Sequence, residues 1–302
     1  SYNDTTYLTI ETANDVLYYT LVLDGLRVGS DGSVEVVGAS NQTQKIVETK
    51  GTQYPLGVIT GENVTITMTD GEGSLLDGRE PGETRPNIEA DGNVTFVSSS
   101  SGSIGTEEDP LNIVAGGEVI FENLVGGGQL ETDTFIHAEE GDIVIQPGTV
   151  VVDVLLEVTA EAGSIALTDV TVISEDDGDQ NDGVLRLDAA KDIIQLDPVG
   201  GEGALSGIKL VGDAISKAYT DIDAGGSITL DQILSENGEA DIDAAGTIDI
   251  PLVDTERDSL TDFNSSEGDI HTNAIEADGS EVIYNAAGSI TYTFYRDNSG
   301  VK

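Results

Sequence analysis

Residues 221–230 read Asp221-Ile222-Asp223-Ala224-Gly225-Gly226-Ser227-Ile228-Thr229-Leu230, and residues 241–250 read Asp241-Ile242-Asp243-Ala244-Ala245-Gly246-Thr247-Ile248-Asp249-Ile250. In both, apolar and polar residues alternate, the period of a strand with one buried face. Gly supplies the turn, and the Ala two residues before it implies an inward position at a corner where a larger side chain would not fit. Ala90, Ala115 and Ala286 hold the same place before Gly92, Gly117 and Gly288.

The element recurs along the chain. Gly-x-[Val/Ile]-x-[apolar] segments follow Gly92, Gly117, Gly141, Gly163, Gly183, Gly226, Gly246, Gly268 and Gly288, spaced by 25, 24, 22, 20, 43, 20, 22 and 20 residues. A degenerate copy at Gly207-Ile208-Lys209-Leu210 sits near the middle of the long gap. A unit this short cannot bury its own apolar face, so each must stack on the next. Glycine recurs too often for helices of this period to persist. The predicted fold is all-β: a β-solenoid, specifically a right-handed parallel β-helix with coils of about 20–25 residues. Roughly 13 coils at about 4.8 Å each give a rod of about 60 Å. The competing architecture is a β-sandwich, which does not call for one strand motif at a constant period.

Residues 1–87 keep strand character without the clean register, predicting an N-terminal β region of capping or irregular coils; regular coils are expected over 88–302. Segments 71–86 and 174–183 read as loops thrown out between coils.

Composition narrows the function. There are 57 Asp+Glu against 12 Lys+Arg, a formal charge of −45, and no cysteine. Zinc–thiolate, iron–sulfur, disulfide and cysteine-nucleophile chemistry all lack their sulfur. Nucleic acid is excluded as a partner, because nonspecific affinity for phosphates comes from Lys and Arg. No apolar run approaches the roughly 20 residues that span a bilayer, and no signal peptide pattern stands at the N-terminus, predicting a soluble, processed chain. The 38% apolar content, in short alternating runs, argues against acidic disorder.

Ser101-Gly102-Ser103-Ile104-Gly105-Thr106-Glu107-Glu108-Asp109-Pro110-Leu111-Asn112-Ile113, followed by Ala115-Gly116-Gly117-Glu118-Val119, resembles the coils and Pro-Leu turn of filamentous-haemagglutinin-type surface proteins. The coil repeat covers roughly residues 88–292. The resemblance implies a secreted, extracellular or cell-surface rod used in adhesion or filament formation, and it carries over no catalytic residue. Its partners would be other copies of itself or glycans on a neighbouring surface. The alternative is a glycan- or receptor-binding module acting through the two loops.

Asp177, Asp179, Asn181 and Asp182, with Asp188 closing the shell, approach the alternating oxygens of a calcium loop, although Gly183 arrives one residue late. The competing reading is a solvated acidic loop. Sequons at Asn3, Asn41, Asn63, Asn93 and Asn264 are candidate glycosylation sites. Acidic pairs are too abundant to diagnose a glycosidase, bases too few for a lyase of acidic sugars, and no Gly-x-Ser-x-Gly elbow occurs. The chain is expected not to be an enzyme. His137 and His271 read as surface or coil-edge residues.

Overall fold

The computed structural model describes strands along the chain and, with their side chains, residues 63–64, 86, 88–96, 112–122, 133–145, 152, 155–167, 170–174, 183–195, 207–212 and 217–293. Among these there is no helix. The chain is a β-solenoid whose coils are three-sided, with three stacks of strands pairing in parallel from one coil to the next.

The first stack holds the Asp-Ile-Asp-Ala strands. It runs through Ile88–Ala90, Leu111–Ala115, Thr134–Ala138, Leu155–Ala160, Val184–Ala189, Ala218–Ala224, Gly238–Ala244, Leu260–Ser265 and Glu281–Ala286. The second holds the short strands after the corner glycines, among them Val94–Ser98, Ile143–Ile145, Ile228–Thr229 and Ile248–Asp249. The third includes Val150–Val152, Val170–Ile173, Ile208–Val211, Gln232–Glu236 and Leu252–Glu256. Ile270–Asp278 is one long strand that serves both the second and third stacks.

Parallel pairing in exact register turns the sequence repeat into columns. In the second stack Val64, Val94, Val119, Ile143, Ile165, Ile193, Ile228, Ile248 and Ile270 lie one above another, none more than 1% exposed. In the first, the corner alanines stack as Ala115, Ala138, Ala160, Ala189, Ala224 and Ala244, all buried. Like residues in a column stack face to face: Phe96 lies on Phe121 with ring centroids 4.7 Å apart, and Phe263 on Tyr284 at 4.9 Å.

The corner between the first and second stacks explains the glycine. Successive coils meet there backbone to backbone: Gly117 N–H donates to the Gly92 carbonyl at 2.9 Å, and Gly288 N–H to the Gly268 carbonyl at 2.9 Å. A Cβ on Gly268 would stand 2.5 Å from the Gly246 carbonyl carbon. Close approach therefore selects glycine at 268, and positive φ does not: among the described glycines only Gly183 and Gly279 have it, at 69° and 68°.

Two assignments change. Gly183 begins a first-stack strand and Gly207-Ile208 a third-stack strand; the corner position between Gly163 and Gly226 is Lys191. The rod is also shorter than the period arithmetic predicts. From Val34–Val37 to Glu281–Ala286 the first stack takes ten steps, about 48 Å, because the antiparallel strands before Val34 add no coil and insertions lengthen the coils between Ala160 and Ala224 without adding rise.

Beside the corner runs a side-chain ladder. Seven of the residues that follow the corner position offer an oxygen to the backbone N–H of their counterpart in the next coil. Asn63 Oδ1 accepts from Asn93, Asn93 Oδ1 from Glu118, Asp142 Oδ1 from Ser164, Ser164 Oγ from Asp192, Asp192 Oδ1 from Ser227, Ser227 Oγ from Thr247 and Asp269 Oδ1 from Ser289, at 2.6–3.4 Å. Asp192→Ala strands the Ser227 N–H and should lower unfolding stability by about 1–3 kcal/mol in chemical denaturation. Asp192→Asn keeps the acceptor and should cost no more than about 0.5 kcal/mol; equal losses in the two variants would contradict the ladder.

Candidate functional site

The largest organised chemical feature is the outer face of the first stack. The inward Ile222 and Ile242 leave their flanking aspartates pointing out, and the parallel register sets them in two columns. One is Glu157, Arg186, Asp221, Asp241, Asp262 and Ile283; the other is Thr159, Asp188, Asp223, Asp243, Asn264 and Asn285. Neighbours within a column are roughly 4.8 Å apart, and the two columns roughly 6.7 Å apart along the strand.

This is a like-charge lattice with little neutralisation. Arg186 meets Glu157 at 3.5 Å. Partial burial raises the pKa of Asp221, opposed by the Arg186 guanidinium and reinforced by Asp243 and Asp188. Asp223 is raised first by burial and then by Asp221, Asp243, Asp188 and Asp241. Asp241 is raised by burial and then by Asp243, Asp221, Asp262 and Glu239. The same causes, burial first, raise the Tyr219 phenol beside them.

A second acidic face lies on the third stack, where Lys209, Leu234, Asp254 and Glu276 form one column and Glu236, Glu256 and Asp278 another. Burial, then Glu276 and Glu256, raises the pKa of Asp254. Arg257 answers part of this charge, its Nη2 lying 2.6 Å from Glu236 Oε1. Arg257 does so from the left-handed region, φ 61°, at a corner where the neighbouring coils use Asn237 and Gly279.

Of the candidate calcium residues, Asp177, Asp179, Asn181 and Asp182 lie outside the described residues. Asp188 stands exposed on the carboxylate face between Thr159 and Asp223. Among the described residues no group of three or more His, Asp or Glu is arranged to hold a metal ion. The sequons Asn3 and Asn41 also fall outside. Asn63 and Asn93 serve in the corner ladder, and Asn264 accepts from Asn285 Nδ2 at 3.2 Å on the first-stack face. His137 sits outward on the first stack, 3.5 Å from Glu161, and His271 on the second, 4.0 Å from Asp269. The stacked carboxylates were legible in Asp221-x-Asp223 and Asp241-x-Asp243, once the two strands are known to pair in register.

No protein-family model matches the chain, and no curated protein or solved structure does.

The carboxylate face makes stability depend on pH. Asp221, Asp223, Asp241 and Asp254 hold protons more tightly in the folded chain than at the ordinary Asp value of 3.8. The native state therefore binds more protons, so their contribution is fully present below that value and is lost as pH rises through the raised values. The melting temperature in low salt should rise as the pH is lowered from neutrality toward the ordinary Asp value of 3.8. Asp241→Asn should raise it at the higher pH and flatten the profile. A melting temperature that falls on acidification would contradict this account.

Proposed function

We propose that the chain is a non-catalytic structural rod exposed on the cell surface, a stretch of an adhesin-type β-solenoid. One observation carries the reading: from residue 88 onward the described strands of successive coils give the same columns the same stacking roles. Backbone rungs, corner ladder and apolar columns join each coil to the next, a design whose product is length and mechanical continuity. Among the described residues the outward faces carry repeated carboxylates rather than a convergent set of acid, base and electrophile, and such convergence is what catalysis needs. The acidic exterior keeps neighbouring rods apart until counter-ions screen it. The filamentous-haemagglutinin-like coils of the sequence point to the same class.

Proteolytic shaving of intact source cells tests it. Peptides of this chain should be released from unbroken cells, and cells lacking the chain should lose attachment to surfaces or to one another. Peptides recovered only after lysis would overturn the reading, as would turnover of an acidic polysaccharide by the purified chain.

A further inference from the structure

We infer that a pair of ordered water molecules lies inside the rod over Ala240 and joins the hydroxyls of Thr220 and Thr261 across three coils. The inference goes beyond the rod reading and does not depend on it.

The interior changes character in these coils. One inward column of the first stack runs Leu156, Leu185, Thr220, Ala240 and Thr261, all buried, the two threonines completely. Leucine thus gives way to a single methyl, with a hydroxyl in the coil on either side of it. On the third stack an inward column changes in step, from Val172 and Leu210 to Ser235 and Thr255.

Some of the hydroxyls in this stretch are satisfied by protein. Thr255 Oγ1 and Ser280 Oγ lie 2.7 Å apart, and Ser259 Oγ donates to the Glu256 carbonyl at 2.6 Å. Thr220 Oγ1, Thr261 Oγ1 and Ser235 Oγ are also buried, and they have no protein partner. A Cβ on Gly238 would stand 2.5 Å from Ser235 Oγ, so that hydroxyl lies against the beginning of the strand that carries Ala240.

A hydroxyl taken out of solvent and left unbonded is costly, and buried polar groups in folded proteins bond to protein or to ordered water. Among the described residues no buried side chain is charged, so this interior suits a neutral ligand that both donates and accepts. Distance sets the number. Thr220 and Thr261 stand two coils apart, roughly 9.6 Å. Three O–H···O bonds in a row span up to about 9 Å and two only about 6 Å, so two waters match the span and one falls short. Ser235 Oγ is a third partner, and each water then meets at least two polar groups, as internal waters do. The volume that leucine fills at 156 and 185 goes to the waters at Ala240.

Water magnetic relaxation dispersion on the 302-residue chain counts its long-lived internal waters. Ala240→Leu restores the side chain of positions 156 and 185 and should lower that count by two. Thr220→Val and Thr261→Val keep the shape and remove one hydroxyl each. Each should lower the count by at least one without raising the melting temperature, and these two variants decide the matter if Ala240→Leu does not fold. Because both hydroxyls end one water chain, the double variant should change the unfolding constant by less than the product of the two single effects, whereas residues this far apart with no shared partner act independently. A count that is the same in the parent and both valine variants would overturn the inference. So would valine substitutions that each raise the melting temperature and combine independently, since that is the behaviour of dry hydroxyls.

Discussion

Everything in this molecule depends on stacking one coil on the next at the spacing of parallel β-strands. That spacing is set by backbone hydrogen bonds, and at most corners it leaves no room for a side chain pointing at the coil beneath, Lys191 being the exception. Glycine at 117, 246, 268 and 288 follows from that contact. So does the ladder beside it, because the corner bends the backbone out of regular pairing and the next N–H needs an acceptor. Asn, Asp and Ser all reach it, which is why the position is polar throughout but not of one residue type.

Register then magnifies whatever a column contains. An inward Val or Ile repeated over nine coils becomes a continuous core, and two phenyl rings in adjacent coils become a stack. An outward Asp repeated becomes a row of mutually repelling carboxylates. The same rule that builds the core builds the acidic faces, and the chain tolerates the repulsion because the carboxylates lie on the solvent side and the core columns do not depend on them. Where Asp243 gives way to Asn264 and Asp262 to Ile283, the chemistry of the surface changes with them.

Much of this was readable in the residues. Alternation and period named the solenoid, and Ala224 and Ala244 marked the inward corner. Gly183 and Gly207 misled because each precedes an alternating strand, and alternation alone does not say which side of the coil a strand occupies. Lys191 hid the true corner by holding a glycine position. The third corner was invisible: Asn237, Arg257 and Gly279 share a left-handed backbone, but only the last is a residue whose type announces it. The acidic faces were legible as charge but not as columns, since that needs the pairing of distant strands. The calcium reading of 177–188 rested on local spacing, and Asp188 belongs to a face that extends over several coils.

Distances that grow with coil number rather than with sequence separation are the most direct test of the account. The outward positions His137, Asp188, Asp243 and Asn285 lie in one first-stack column, separated by two, two and two coils. The chain has no cysteine, so pairs of introduced cysteines can carry spin labels without interference, and pulsed electron resonance on spin-diluted samples reads the intramolecular separation. The 137–285 pair should give one narrow distribution near about 29 Å, and the 188–285 pair one near about 19 Å. Broad distributions, or separations that do not step by about 4.8 Å per coil, would contradict in-register stacking and the solenoid with it.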